Sequence, residues 1–247
     1  MTMRGNMNIL TPEQRAQFAQ DGFFIMEGIF RAEEMEALEA AIDRHTLEHN
    51  DRLREGERGG ISRADEIQFT AFLAEHDDAI RAFATQEKMA AIAVALLGPD
   101  VRLYWNQAVY KYPETPRPFP WHQDNGYTPV EPEQYLTCWL ALTDATLENG
   151  CIWVLPGSHK NGTLPHTDSP LGRVGYDGPD PGVPVPVRKG SMAVFSSLLL
   201  HKSGPNLTAS EIRKAYILQY CQADTRDAMT GKPFDDRIRV TQNGVKV

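Results

Sequence analysis

The stretch VRLYWNQAVYKYPETPRPFPWHQDNGY, residues 101–127, is where the chain changes texture. Its first half alternates, so that Val101, Leu103, Trp105, Gln107 and Val109 share one face of an extended segment. Upstream the pattern is helical. Thr11-Pro12-Glu13-Gln14 supplies an N-cap, a proline at the first helical position and a capping-box glutamine. Asp21-Gly22 closes that helix, and residues 23–26 read as a short strand. A second helix is expected over 32–49, with Met35, Leu38 and Ile42 on one face. Residues 50–63 are charged and contain glycine, which predicts a surface loop. Two more helices are expected over 78–84 and 86–97, stopped by Gly98-Pro99. Downstream, strand-like runs cover 121–125, 135–143, 151–155, 183–188, 192–200 and 213–222, with Asn149-Gly150 as a hairpin turn. The aperiodic segment 161–186, rich in Pro and Gly, reads as a long loop. Helices followed by short strands predict an α+β, mainly β chain with a sandwich or jelly-roll body.

Composition narrows the function. The 247 residues carry 33 acidic and 25 basic side chains, a net charge of −8, without a basic cluster. That disfavours nucleic acid and favours a small-molecule partner. No run of apolar residues is long enough to span a membrane, and none follows Arg4 as a secretory leader requires. Cys138, Cys151 and Cys221 are scattered and form no CxxC pair, which points to a reducing, cytoplasmic setting. The expected organisation is one domain over 1–247: a mostly helical part to residue 99, a core over 100–225 and a tail over 226–247.

His-x-Asp occurs four times. His49-x-Asp51, His76-x-Asp78 and His166-x-Asp168 fall at a helix end, a helix start and in the long loop, where solvated surface residues are expected. His122-Gln123-Asp124 lies among Phe119, Trp121 and Tyr127 on an extended run. Such a pair is either a buried ion pair or, since residues i and i+2 of a strand share a face, two arms of a metal site. His201, at the mouth of an apolar strand, is either a capped core residue or the third arm. Together the three make a 2-His-1-carboxylate set, the usual holder of Fe(II). Arg213 opens the next strand. It is a surface arginine or, given the triad, a clamp for the distal carboxylate of 2-oxoglutarate, with Ser203 as a second donor.

The combination of WHQDNGY (121–127), ENGCIWVLPGSHK (148–160) and HKSGPNLT (201–208) with a downstream arginine resembles the phytanoyl-CoA dioxygenase superfamily of Fe(II)/2-oxoglutarate oxygenases. DGFFIMEGIF (21–30) and LLGPDVRLYWNQ (96–107) extend the likeness over most of the chain. The resemblance implies a double-stranded β-helix (cupin-like jelly-roll) core with flanking helices. It implies His122, Asp124 and His201 as iron ligands, and Arg213 with Ser203 at the 2-oxoglutarate C5 carboxylate. Gln107, Lys111, Thr137 and Trp139 would line the cosubstrate pocket. It brings O2 as oxidant and ascorbate as an in vitro reductant. Asp124 stands where halogenating members carry a small residue, so hydroxylation or a related oxidation is the expected outcome.

The same reading makes Pro156-Gly157-Ser158-His159 a structural turn and 50–63 and 161–186 lids over the substrate. Tyr104, Trp105, Phe119, Trp121, Tyr127 and Trp153 are wall candidates for a partly apolar substrate, a natural product or lipid-like metabolite, with about half of them expected in the core. The protein is expected as a monomer or homodimer. Two rivals remain: a cupin-like metalloenzyme that does not use 2-oxoglutarate, and a non-catalytic jelly-roll binding module.

Overall fold

In the computed structural model, residues 9–179 and 182–247 are described; residues 1–8, part of the segment read for a leader, and residues 180–181 of the long loop lie outside. Thr11 caps as its sequence context suggests. Its hydroxyl accepts from the Gln14 N–H at 3.2 Å, and the Gln14 side chain accepts from the Thr11 N–H at 2.9 Å, opening α1 (Pro12–Asp21). Strand β1 (Phe23–Met26) follows, then α2 (Ala32–Arg54), β2 (Ile67–Ala71), α3 (Leu73–His76), α4 (Asp78–Ala84) and α5 (Glu87–Leu97). Next come β3 (Val101–Lys111), β4 (Phe119–His122), β5 (Val130–Glu131), β6 (Leu136–Ala141), β7 (Ile152–Val154), β8 (Thr167–Ser169), β9 (Gly172–Val174) and β10 (Val183–Val185). The chain ends with β11 (Met192–Ser196), β12 (His201–Ser203), β13 (Arg213–Gln222), β14 (Arg226–Asp227), β15 (Ile238–Gln242) and β16 (Val245–Lys246).

Two antiparallel sheets form the jelly roll. The larger runs β1-β11-β6-β13-β3-β15-β16, with β2 also on β3; the smaller runs β10-β7-β12-β4. Helices α2 and α5 pack Met35, Ile42, Met89 and Ile92 onto the outer face of the large sheet, against Leu103, Tyr110, Leu140 and Leu218. A second cluster, with Phe119, Trp139, Ile152, Phe195 and Ile217, fills the space between the sheets. Burial of apolar area on both faces is the main stabilising term for such layers. Strands from the helical first third and from the last residues join the same large sheet as the central ones.

Several local expectations are corrected. Helix α2 runs beyond residue 49 into the predicted loop, because the charges there form Arg52–Glu48 and Arg54–Asp51 pairs along a solvated helix face. Strand β2 is additional; its Gln68 is buried and donates to Thr46 O at 2.6 Å. The expected strand 121–125 ends at His122, and Asp124–Gly126 is a 3-10 turn. The expected strand 192–200 ends at Ser196; residues 197–200 turn the chain into β12 of the smaller sheet. Ser196 and Ser197 turn their hydroxyls to the backbone N–H groups of Leu198 and Tyr135, which ends the ladder. Asn149-Gly150 makes a turn between the two sheets and not a hairpin, since β6 and β7 do not pair. The long loop carries β8, β9 and β10.

One correction matters for the site. The residues expected on one face of β3 split: Val101 and Leu103 face the helices, whereas Val109 belongs to the inner cluster. Opposite them, the register with β13 shifts between Gln219 and Tyr220, a β-bulge that leaves Tyr104 without a partner. An extra residue reverses the pleat beyond it and re-aims side chains. Tyr104, Trp105 and Gln107 therefore all line the interior cavity.

Candidate metal centre and cosubstrate pocket

His122 ends β4 and His201 opens β12, and the two are direct antiparallel partners. Cross-strand partners on one face are neighbours, and the imidazole centroids lie 4.1 Å apart. Each ring is turned by a backbone carbonyl: Nδ1 of His122 is 2.9 Å from Pro120 O, and Nδ1 of His201 is 3.0 Å from Leu199 O. A carbonyl only accepts, so each Nδ1 carries the proton and each Nε2 presents a lone pair inward. Burial and the neighbouring His201 hold the His122 pKa well below its ordinary value, which keeps that ring neutral and able to ligate.

Asp124 reaches the same point from the 3-10 turn rather than from the strand. Its Oδ1 is 3.8 Å from His122 Nε2 and 3.6 Å from His201 Nε2, and the three ligand atoms lie within 4.8 Å of one another. These separations are too long for hydrogen bonds and suit three atoms sharing one ion. Asp124 Oδ2 is already engaged, accepting from Thr137 Oγ1 at 2.6 Å. Gln219 Nε2 in turn donates to Thr137 Oγ1 at 3.3 Å. Gln219 was absent from the sequence reading, although it continues the Arg213, Ala215, Ile217 face of β13 by the period-2 rule.

A pocket runs from this set to Arg213, lined by Gln107, Thr137, Trp139 and Ser203 among others. Arg213 is 1% exposed. It donates one bond, to Val109 O at 3.1 Å, lies 5.3 Å above the Trp139 ring, and leaves its Nε without a partner. Burial pushes its pKa down to about 10. Lys111, its cross-strand partner, donates to Ser203 Oγ at 2.9 Å and to Gly204 O at 2.5 Å. Burial and the Arg213 charge lower the Lys111 pKa well below the ordinary lysine value. Among the described residues no carboxylate pairs with either cation. A buried, unpaired guanidinium is costly, so the pocket is built for an anion that the chain does not supply.

A second cavity, of about 420 Å³, opens from His122 and Asp124 on the other side. Tyr104, Trp105, Phe119 and Tyr127 line it, as does Tyr135, which the sequence reading did not include. The expectation that about half of the six wall candidates are core residues holds: Tyr104, Phe119 and Trp121 are buried, and two of these, Tyr104 and Phe119, also face this cavity with Trp105 and Tyr127. Trp121 and Trp153 instead flank the Lys202 ammonium, at 4.8 and 5.3 Å. Gly59, Gly60 and Ile61 of the first expected lid form part of the rim. His159 is a structural residue: its ring packs where a side chain at Gly22, the end of α1, would stand. His49 bonds Thr70 Oγ1 at 3.3 Å, and Asp78 is exposed. His166 is not a solvated surface residue, since its Nε2 accepts the Gln123 N–H at 2.9 Å.

The family model described as phytanoyl-CoA dioxygenase matches residues 18–215. The chain belongs to the phytanoyl-CoA dioxygenase family. Among relatives of this family, "Phytanoyl-CoA dioxygenase domain-containing protein 1" from Bos taurus is 28% identical, over 88% of this chain and 92% of its own. Among solved structures, the non-haem alpha-ketoglutarate-dependent carbocyclase SnoK of nogalamycin biosynthesis superposes with a TM-score of 0.76 at 22% identity, covering 96% and 99% of the two chains. EvdO2 from Micromonospora carbonacea var. aurantiaca, complexed with 2-oxoglutarate, superposes with a TM-score of 0.71 at 25% identity, covering 94% and 98%. Family membership together with the His-Asp-His set makes this phytanoyl-CoA dioxygenase relative a non-haem oxygenase of the 2-oxoglutarate class.

Proposed function

We propose that the protein is an Fe(II)- and 2-oxoglutarate-dependent dioxygenase that hydroxylates an unactivated C–H bond of an uncharged, partly apolar small molecule, with release of succinate and CO2. His122, Asp124 and His201 would hold the iron. Bound iron supplies the activation of O2 that couples oxidative decarboxylation of 2-oxoglutarate to oxidation of the substrate. The chain's own residues do the positioning. The Pro120 and Leu199 carbonyls fix the imidazole tautomers, Thr137 holds Asp124 by one oxygen, and Arg213 with Ser203 receives the distal carboxylate. Trp139 lies under the guanidinium, and Gln107 faces both cavities. The buried Arg213 with no carboxylate partner among the described residues is the observation that carries the reading; a cupin-like enzyme without 2-oxoglutarate has no use for it.

The wide cavity narrows the substrate. Its lining includes aromatic rings and two amides, and among the described residues its only charged side chain is Asp124. No lysine or arginine lines it to meet the phosphates of a coenzyme A thioester, so a neutral molecule with an aromatic or fused-ring surface fits better. Asp124 would be a metal ligand where the resemblance puts a small residue in halogenating members, which supports hydroxylation. Three free, buried cysteines fit a reducing cytoplasm.

The test is succinate release under Fe(II), ascorbate and air across matched panels of acyl-CoA thioesters and neutral ring compounds. The expected result is substrate-dependent succinate with the neutral panel, a product heavier by one oxygen, and no turnover by His122→Ala. Full substrate-dependent succinate production by His122→Ala would overturn the proposed centre, and turnover confined to the thioesters would overturn the substrate class.

A further inference from the structure

The two ligands on the 121–127 segment are separated and flanked by residues that all reach one loop. Gly175 N–H donates to Trp121 O at 2.8 Å. The Gln123 carboxamide donates to Gly162 O at 2.9 Å and to Leu198 O at 2.6 Å, and accepts from Leu164 N–H at 2.7 Å. Asn125 Nδ2 donates to Thr163 Oγ1 at 2.5 Å. Arg173 donates from its guanidinium to Gly126 O and from its backbone N–H to Tyr127 Oη, the latter at 2.8 Å. From 121 to 127, the loop over 162–175 thus bonds every residue except His122 and Asp124, the two that face the metal centre.

His166 sits at the middle of this grip. Its Nδ1 donates to Leu164 O at 2.8 Å and its Nε2 accepts the backbone N–H of Gln123, the peptide between the two ligands. The ring fills a slot between Gly126 and Gly175; a side chain at either would overlap it. An imidazole of this tautomer bridges the Leu164 carbonyl and the Gln123 N–H in that slot.

We propose that His166 is a positioning residue for the metal centre: it anchors the His122–Asp124 turn to the loop and so sets the two ligands before metal arrives. The inference rests on the reading of His122, Asp124 and His201 as the metal ligands. Removing the acceptor strands the buried Gln123 N–H and frees the turn to rotate Asp124 away from the imidazoles.

The test compares Mn(II) affinity, read from free Mn(II) by electron paramagnetic resonance, for wild type, His166→Gln and His166→Phe. Glutamine keeps an acceptor at the Nε2 position, and phenylalanine keeps the ring without one. The expected result is binding at least ~10-fold weaker for His166→Phe and largely restored for His166→Gln. Wild-type affinity in His166→Phe overturns the inference. Wild type that does not bind Mn(II) overturns the metal centre and the inference with it. A measurement on metal-free wild type serves if His166→Phe does not fold. There the Gln123 amide should resist hydrogen exchange as sheet amides do; free exchange until metal is added overturns the proposal.

Discussion

Arg213 shows how one side chain acquires a function from its surroundings. At a strand end it is an ordinary arginine; buried in the large sheet, with Trp139 under it and Nε unpaired, it is the proposed seat of a carboxylate. Truncating one partner of a buried charge-assisted pair costs about 2 kcal/mol or more, so Arg213→Ala should raise the apparent KM for 2-oxoglutarate at least ~30-fold. Arg213→Lys should not rescue it, because an ammonium lacks the planar fork. Steady-state succinate release against 2-oxoglutarate concentration checks both, and an unchanged KM would remove Arg213 from the cosubstrate site. Lys111 gives a pH-dependent outcome. Its folded pKa lies below the ordinary value, so the unfolded chain binds this proton more tightly, and the group's contribution to stability rises with pH toward about 10.4. A dicarboxylate beside Ser203 favours the charged ammonium. Binding of 2-oxoglutarate at pH values above the folded pKa of Lys111 should therefore take up protons, measured by calorimetry across a pH series in buffers of unlike ionisation heat. Lys111→Met should abolish that uptake; uptake that persists would locate the titrating group elsewhere.

The elements carry the same site by register and by turns. His122 and His201 meet because β4 and β12 pair at those two residues, and the bulge opposite β13 gives the substrate cavity both Tyr104 and Trp105. The turn before β7 matters for the anion pocket. Gly150 has φ +93°, and a Cβ there would stand 2.7 Å from Gly204 O and 3.2 Å from Lys111 Cδ. Gly204 O is also an acceptor for the Lys111 ammonium. Gly150→Ala should cost about 2 kcal/mol, a fall of roughly 4–8 °C in Tm, from strain at a left-handed backbone position. It should also raise the KM for 2-oxoglutarate by displacing Gly204. Thermal denaturation and KM together check this: a stability loss with unchanged KM would separate the turn from the pocket. By contrast, the capping box on α1 is remote from the site, and its loss belongs to stability alone.

At the scale of the molecule, the site lies between two sheets that no single segment spans, so filling it should stabilise the whole. Mn(II) with 2-oxoglutarate, each at about 100 times its Kd, should each add about 2.7 kcal/mol to unfolding, and the two shifts should be reversed by a chelator and by ligand removal. No shift in a thermal melt with either would favour a plain jelly-roll module. Much of this was legible in the chain itself: His122, Asp124, His201 and Arg213 as candidates, by residue type and by the motifs that resemble the family, the capped first helix, the strand-rich body, and an acidic composition suited to small-molecule chemistry. These are local signals, since side-chain chemistry and the period of a pattern are written in consecutive residues. What the chain alone did not give depends on which segments meet. The Tyr104 bulge needs β13 opposite β3, Gln219 and Tyr135 join the site only by pairing and packing, and His166 leaves the surface only because a loop forty residues on folds back over Gln123. Sequence determined the donors and the class of chemistry; the tertiary structure decided their orientation and what holds them there, because long-range register and burial are properties of contacts between segments and not of any segment's own pattern.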